Sequence, residues 1–268
     1  MATICGVPEH FNFPLKQALK KHPQHRWEDC KGGSGQMRQM LNDGDVDYAV
    51  MLTEAAVYAI LQGDELDIVT EYVSTPLFWG IYCHSDNPNN STTDSALPLL
   101  VSRYGSGSHL IPFAKAHQEQ YAYNPEIKVI SNLDGALQHF NKGNDGLFYW
   151  EEVTTEPFIA TNSITKVGLF PAPWPSFVLV KRKSTTDTLN AIIEDAKLEV
   201  EKLKLNTVTS IETICTAYNL DKAETKKWLN RTEWFQGALS VDTLLTIAKI
   251  LKGQDLIKTI DKEKLILG

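Results

Sequence analysis

Two glycine segments carry the clearest chemical potential in this chain. Gly32-Gly33-Ser34-Gly35 and Gly105-Ser106-Gly107-Ser108 each run into a stretch with helical apolar spacing. A loop that feeds a helix N-terminus offers free backbone N–H groups and the positive end of the helix dipole, and can therefore receive an anion. The candidate ligand contacts are Ser34, Gly35, Gln36 and Met37 at the first segment and Ser106, Gly107, Ser108 and His109 at the second. Neither segment is a nucleotide loop. Gly33-Ser34-Gly35-Gln36-Met37-Arg38 lacks the third glycine of a dinucleotide fingerprint, and neither segment holds a Gly-Lys-Ser/Thr. Capture of a small carboxylate, sulfonate, phosphate or polar heterocycle remains. For each loop taken alone, a glycine turn with a helix cap is the competing reading.

Carboxylates and aromatics gather at the ends of strand-like runs. Thr53 and Glu54 follow Tyr48 to Leu52, and Glu151 follows Leu147 to Trp150, at the carboxyl ends where open α/β sheets place ligands. Glu54 and Glu151 as a pair could hold a cationic or donor-rich group; Glu151 equally suits the N–H groups of a helix first turn. His109, just inside a helix N-terminus, reads either as a ligand donor or as an ordinary surface histidine. Glu9, His10 and Phe11 follow the first strand, and Phe11 and Trp150 are the candidate walls for a flat ligand. Phe78, Trp79 and Tyr149 read as core. Cys5, Cys30, Cys83 and Cys215 show no short-spaced pair, so reduced thiols are expected. No metal site, cofactor or catalytic residue is assigned.

These residues need elements to position them. Thr3 to Val7 reads as a strand, Pro14 to Lys21 as a helix, Gln36 to Leu41 as a helix stopped by Gly44, and Tyr48 to Leu52 as a buried strand. Thr53 is expected to N-cap a helix over 55–61. The polar stretch Ser85 to Ser95 marks a lobe boundary. Beyond it, Leu99 to Arg103 reads as a strand and His109 to Tyr121 as a helix with Pro112 in its first turn. The order of the first third recurs: Leu41-Asn42-Asp43-Gly44 leads through a strand to Thr53-Glu54, and Phe140-Asn141-Lys142-Gly143 leads through a strand to Glu151-Glu152. The two glycine loops are expected at matching places in two related α/β lobes. Pro171-Ala172-Pro173-Trp174-Pro175 is a rigid connector, and Phe177 to Val180 a strand that can rejoin the first lobe's sheet. The rest reads as helices, expected to pack on lobe one, with Ser240 as a cap.

Composition bounds the partners. Over 268 residues, 43% are hydrophobic and 22% charged, near the globular average, which argues for a packed core. The formal charge of -7 disfavours a broad grip on phosphate backbones, so no nucleic-acid partner is expected. No run is long and apolar enough for a spanning helix, and Met1-Ala2-Thr3-Ile4-Cys5-Gly6 lacks the features of a signal peptide. The expectation is a cytoplasmic protein without membrane insertion.

The residues just described resemble the type II periplasmic-binding-protein family, in particular its branch of sulfonate, nitrate and thiamine-pyrimidine-precursor binders. The resemblance rests on Gly6-Val7-Pro8-Glu9-His10-Phe11, Gly33-Ser34-Gly35-Gln36-Met37, Gly44-Asp45-Val46-Asp47 through Thr53-Glu54-Ala55, and Ser102-Arg103-Tyr104-Gly105-Ser106-Gly107-Ser108-His109, and extends over most of residues 1 to 230. Within that group the chain looks most like a fungal member that stays in the cytosol. The resemblance implies a two-lobed α/β flytrap with two crossing segments, closing on a ligand in the interlobe cleft. Lobe one would comprise 1–83 and 176–268, including a helical C-terminal extension, and lobe two 84–175. By position, Ser34, Gly35 and Gln36 match the family's first-lobe ligand loop, Thr53 and Glu54 its strand-exit contacts, and Ser106 to His109 its second-lobe loop. The family also includes the fungal thiamine pyrimidine synthase, but residues 32–114 contain no lysine for its pyridoxal phosphate linkage and no clustered cysteines for its iron. A small-molecule binder is therefore the leading expectation. The alternatives are an enzyme acting on a pyrimidine-like or phosphorylated substrate, with Glu54, His109 or Glu151 as acid or base, and a sensor whose helical tail contacts a protein partner.

Overall fold

The computed structural model describes residues 1–186 and 188–266, the last of these by its backbone alone. Asp187, Leu267 and Gly268, which the expected lobe over 176–268 includes, lie outside the described residues. The chain forms two compact units. The first comprises Met1–Thr75, Trp174–Leu244 and the segment from Asp261 on; the second comprises Pro76–Pro173 and Leu245–Ile260.

The first unit begins with β1 (Thr3–Gly6), a single 3-10 turn (His10–Asn12), α1 (Phe13–Leu19) and β2 (Arg26–Asp29). It continues through α2 (Gly33–Asp43), β3 (Tyr48–Leu52), α3 (Thr53–Leu61) and β4 (Leu66–Val73). Strand β3 is a run of apolar residues with four of its five buried, as a strand covered on both faces requires. Helix α2 stops at Gly44, whose φ of 82° is the left-handed conformation that glycine adopts without a Cβ penalty.

The second unit runs through β5 (Phe78–His84), β6 (Leu99–Val101), α4 (Gly107–Glu119), β7 (Ile127–Val129), α5 (Leu133–Asn141), β8 (Leu147–Glu151), α6 (Glu152–Ile159) and β9 (Ile164–Pro171). Its core holds Tyr82, Leu100, Phe140, Phe148 and Ile164, with Trp150 packed against it. The chain then returns to the first unit as β10 (Phe177–Arg182), α7 (Asn190–Leu205), α8 (Thr207–Tyr218) and α9 (Lys222–Arg231). Asp221 caps α9 by accepting from the N–H groups of Ala223 at 2.8 Å and Glu224 at 3.0 Å. Helices α10 (Val241–Gly253) and α11 (Lys262–Ile266) follow, and Ser240 Oγ accepts the Thr243 N–H at 3.1 Å, as the expected cap.

The two sheets share one plan. Their orders are β2-β1-β3-β10-β4 and β7-β6-β8-β5-β9. In each, the first three strands pair in parallel and the fourth runs antiparallel to its neighbours. Strand β10 inserts between β3 and β4, so the segment after the proline-rich connector does rejoin the first sheet.

Several local expectations need correction. Gly33, Ser34 and Gly35 are the first turn of α2 rather than a loop ahead of it. Thr53 is the first residue of α3, and its side chain does not cap that helix. Pro112 is the sixth residue of α4 and thus lies in the second turn. The glycine segments are also not in equivalent places: α2 lies between the second and third strands of its unit's parallel series, whereas α4 lies between β6 and β7, the place that α1 holds in the first unit. The topological counterpart of α2 is α5, which has no glycine loop. The tail divides as well, since Leu245–Ile260 groups with the second unit. There Ile250 and Gln254 line a cavity of about 190 Å3 with Phe113 and Tyr123. Among the described residues no helix is long and apolar enough to cross a membrane.

Candidate functional site

In the first unit, the start of α2 is tied to the exit of β3. Ser34 Oγ accepts the Leu52 N–H at 3.1 Å, and Gln36 Oε1 turns back to accept the Gly32 N–H at 2.8 Å. Gln36 is exposed, Gly35 half-buried and Ser34 buried, while Met37 is wholly enclosed in the core. The expected contacts therefore split between a presented first turn and a packing residue, as the helical spacing of Met37 with Leu41 demands.

The corner between β3 and α3 is buried. The Thr53 N–H donates to the Ser176 carbonyl at 3.1 Å and its Oγ1 donates to the Pro175 carbonyl at 2.6 Å, which fastens the corner to the returning chain. Glu54, in the first turn of α3, is 2% exposed. Its Oε2 accepts the Trp174 Nε1–H at 2.9 Å, and its Oε1 has no partner among the described residues. Burial pushes this carboxyl up to about 7, opposed by hydrogen bonds from its own backbone N–H and from Trp174. Trp174 was not singled out as a functional residue in the sequence. Its signal is a tryptophan inside a proline-rich connector, where a large ring needs a partner and the prolines offer no N–H.

The loop after β1 turns inward. His10 and Phe11 are both buried; His10 stacks on Phe11 at 4.6 Å and meets the Trp228 ring edge-on at 4.3 Å. Phe11 also packs on Phe177 at 5.2 Å, and its carbonyl accepts from Tyr72 Oη at 2.9 Å and Trp234 Nε1 at 3.2 Å. Burial and the nearby Arg231 charge pull His10 down to about 3, so it is neutral at physiological pH. Glu9 remains half-buried beside it.

In the second unit, α4 opens within a hydroxyl cluster. Ser108 Oγ accepts the Ser102 N–H at 2.9 Å and lies 3.0 Å from Ser106 Oγ, which donates to the Arg103 carbonyl at 2.7 Å. The Ser106 carbonyl takes the N–H groups of His109 at 3.0 Å and Leu110 at 2.9 Å, leaving the amides of Gly107 and Ser108 without an intrahelical acceptor. His109 Nδ1 accepts the Gly105 N–H at 3.1 Å, which places the proton of the neutral ring on Nε2. Burial pulls this histidine down to about 4. Arg103 precedes the loop, half-buried, and no carboxylate among the described residues pairs with it. Burial lowers its pKa too, as expected of a cation with no anion to offset its desolvation.

At the exit of β8, Glu151 is the N-cap of α6. Its Oε2 accepts the Thr154 N–H at 2.7 Å, and its carbonyl accepts from Thr155 Oγ1 at 2.8 Å. Of the two readings open for this residue, the structure displays the helix-terminal one. Trp150 is half-buried and lies flat on Phe148 with centroids 5.1 Å apart. Among the described residues no three histidine, cysteine or acidic side chains cluster as metal ligands, and all four cysteines are free thiols.

Comparison with known proteins agrees with this architecture. A family model described as "Ca3427-like PBP" matches residues 79–170. The Candida albicans CA3427 gene product, described as defining a new family with the generic periplasmic-binding-protein fold, is 25% identical with a TM-score of 0.83, over 98% of this chain and 93% of its own. The alkanesulfonate-binding protein SsuA of Xanthomonas axonopodis pv. citri, bound to MOPS, is 14% identical with a TM-score of 0.78, over 96% and 94%. The ligand-binding component of an ABC-type import system from Staphylococcus aureus is 14% identical with a TM-score of 0.74, over 99% and 95%. No curated protein matches the chain. The fold is that of the type II periplasmic binding proteins, as the sequence resemblance implies.

Proposed function

We propose that this chain, which carries the two-lobed periplasmic-binding-protein fold, captures a small anionic or heterocyclic ligand in a cleft between its lobes. Arg103 carries this reading: a half-buried guanidinium without a carboxylate partner, at the entry to a helix whose first amides and Ser106, Ser108 and His109 cluster beside it. A desolvated arginine needs an anion, and amides at a helix N-terminus bind one. In the first unit the contributing groups are Ser34, Gly35, Gln36, Thr53 and Glu54. The alkanesulfonate named for the Xanthomonas protein is one such anion, and a thiamine-pyrimidine precursor is the heterocyclic counterpart. The protein acts in the cytoplasm, and its lobes close on the ligand, because a ligand that touches both favours the closed state.

Native mass spectrometry of gently purified protein, followed by calorimetric titration with short alkanesulfonates and phosphonates, tests the reading. Arg103→Met is expected to weaken the anion by tenfold or more. Equal affinity in the variant would remove Arg103 from the site, and X-ray scattering that shows no compaction on binding would remove the closure. Glu54 favours a second reading, catalysis, because a carboxyl held near neutrality suits acid–base work. Recovering a bound ligand chemically unchanged after prolonged incubation would dismiss it.

A further inference from the structure

We propose that the cavity between α4 and α10 is a second ligand site, independent of the cleft reading above, and that it takes a single-ring aromatic carboxylate. Every residue that lines it belongs to the second unit. Helix α4 ends at Glu119, and Gln120 adopts the left-handed conformation with a φ of 58°. The chain turns back there, with the Tyr121 N–H donating to the Ala116 carbonyl at 3.1 Å, so Tyr121 and Tyr123 become walls beside the last turns of the helix. Phe113, Tyr123 and Ile250 are the buried part of the lining, and the rings of Phe113 and Tyr123 lie 5.6 Å apart. His117, Lys249 and Gly253 line the same space and are exposed, so they form its mouth. Closely packed interiors rarely leave a void of this size. The volume of about 190 Å3 exceeds the roughly 150 Å3 that suffices for benzene in an apolar protein cavity, so one ring with a small substituent fits. The ring packs offset or edge-on against Phe113 and Tyr123. The polar groups select the substituent. No acidic residue lines the cavity, and Lys249 has no ion-pair partner among the described residues. Glu119, at the end of α4, is committed to Lys115, whose ammonium lies 5.1 Å from the Tyr121 ring. The hydroxyls of Tyr121 and Tyr123 are buried and lack partners among the described residues, so the lining residues hold unused donors. A carboxylate accepts hydrogen bonds and donates none, and the Lys249 ammonium supplies its counter-charge.

Calorimetric titration of the full chain compares benzoate with benzyl alcohol, which keeps the ring but not the charge. Benzoate is expected to saturate with a Kd below about 1 mM and to bind about fivefold or more tightly than the alcohol. Lys249→Met is expected to bring the two compounds within about twofold of each other. Gly253→Phe, built where an added Cβ meets nothing within 4 Å, is expected to fill the mouth and abolish binding of both. Arg103→Met is expected to leave benzoate binding unchanged. Benzoate affinity that falls in Arg103→Met but in neither of the other variants would place the compound in the cleft and overturn the second site, while the cleft reading stands. Benzyl alcohol bound as tightly as benzoate would overturn the carboxylate assignment, and saturation by neither compound would overturn the site. Lys249 and Gly253 are exposed, so both variants are expected to unfold at the wild-type midpoint, and the wild-type ratio of affinities decides the matter without them.

Discussion

The Ser34 hydroxyl accepts the backbone N–H of Leu52 at 3.1 Å, which joins the first turn of α2 to the last residue of β3. In the second unit Ser108 Oγ does the same for the Ser102 N–H at 2.9 Å. In both cases the second residue of a helix satisfies an amide of a neighbouring strand or its exit, so the hydroxyl is structural. Ser34→Ala and Ser108→Ala are each expected to strand an amide and lower unfolding free energy in urea by about 1–3 kcal/mol. Loss of ligand affinity with unchanged stability would show that the hydroxyls serve the ligand alone.

Glu54 makes stability depend on pH. Its carboxyl titrates near 7 in the folded chain against an ordinary 4.5. The folded state therefore holds the proton more tightly, and its stability falls as pH rises from about 4.5 to 7. Glu54→Gln removes this loss, so its stability relative to wild type should be greater at pH 8 than at pH 4.5 by about 3 kcal/mol. Trp174→Phe, which deletes the side-chain donor, should move the Glu54 titration still higher, readable as a shifted midpoint in the same pH series.

His109 acts in the opposite sense. Held near 4 by burial, it stays neutral in the folded chain while an unfolded histidine charges below about 6.5. Its contribution is complete above pH 6.5 and is lost as pH falls toward 4, amounting to about 3 kcal/mol. His109→Gln keeps an acceptor for the Gly105 N–H and does not titrate, so its stability should fall less between pH 7 and 4.5 than that of wild type. His10 follows the same rule, with its loss extending toward pH 3.

Gly135 has no room for a side chain. It sits at the start of α5, where its N–H donates to Asn132 Oδ1 at 3.0 Å, and an added Cβ would collide with the Ile130 carbonyl oxygen. Because that neighbour is backbone, Gly135→Ala is expected to cost about 3 kcal/mol or more in thermal or urea unfolding. A variant as stable as wild type would mean that this turn relaxes freely.

The sequence by itself determined the local elements and their order. Apolar runs such as Tyr48 to Leu52 and Phe177 to Val180 became strands, Gly44 and Ser240 marked helix ends, and the residues around Ser34 and Ser108 opened helices. These features follow from side-chain periodicity and backbone preference within a few residues, which a sequence displays directly. Tertiary structure alone decided where each candidate side chain spends its polar atoms. His10 and Phe11 went into a core with Trp228 and Phe177, Glu151 capped a helix, and Glu54 met Trp174 across 120 positions of chain. It also assigned α2 and α4 to different places in the shared topology, although their glycine segments look alike. Burial and hydrogen-bond partners arise from chain segments far apart in sequence, and no local pattern encodes which of them will meet.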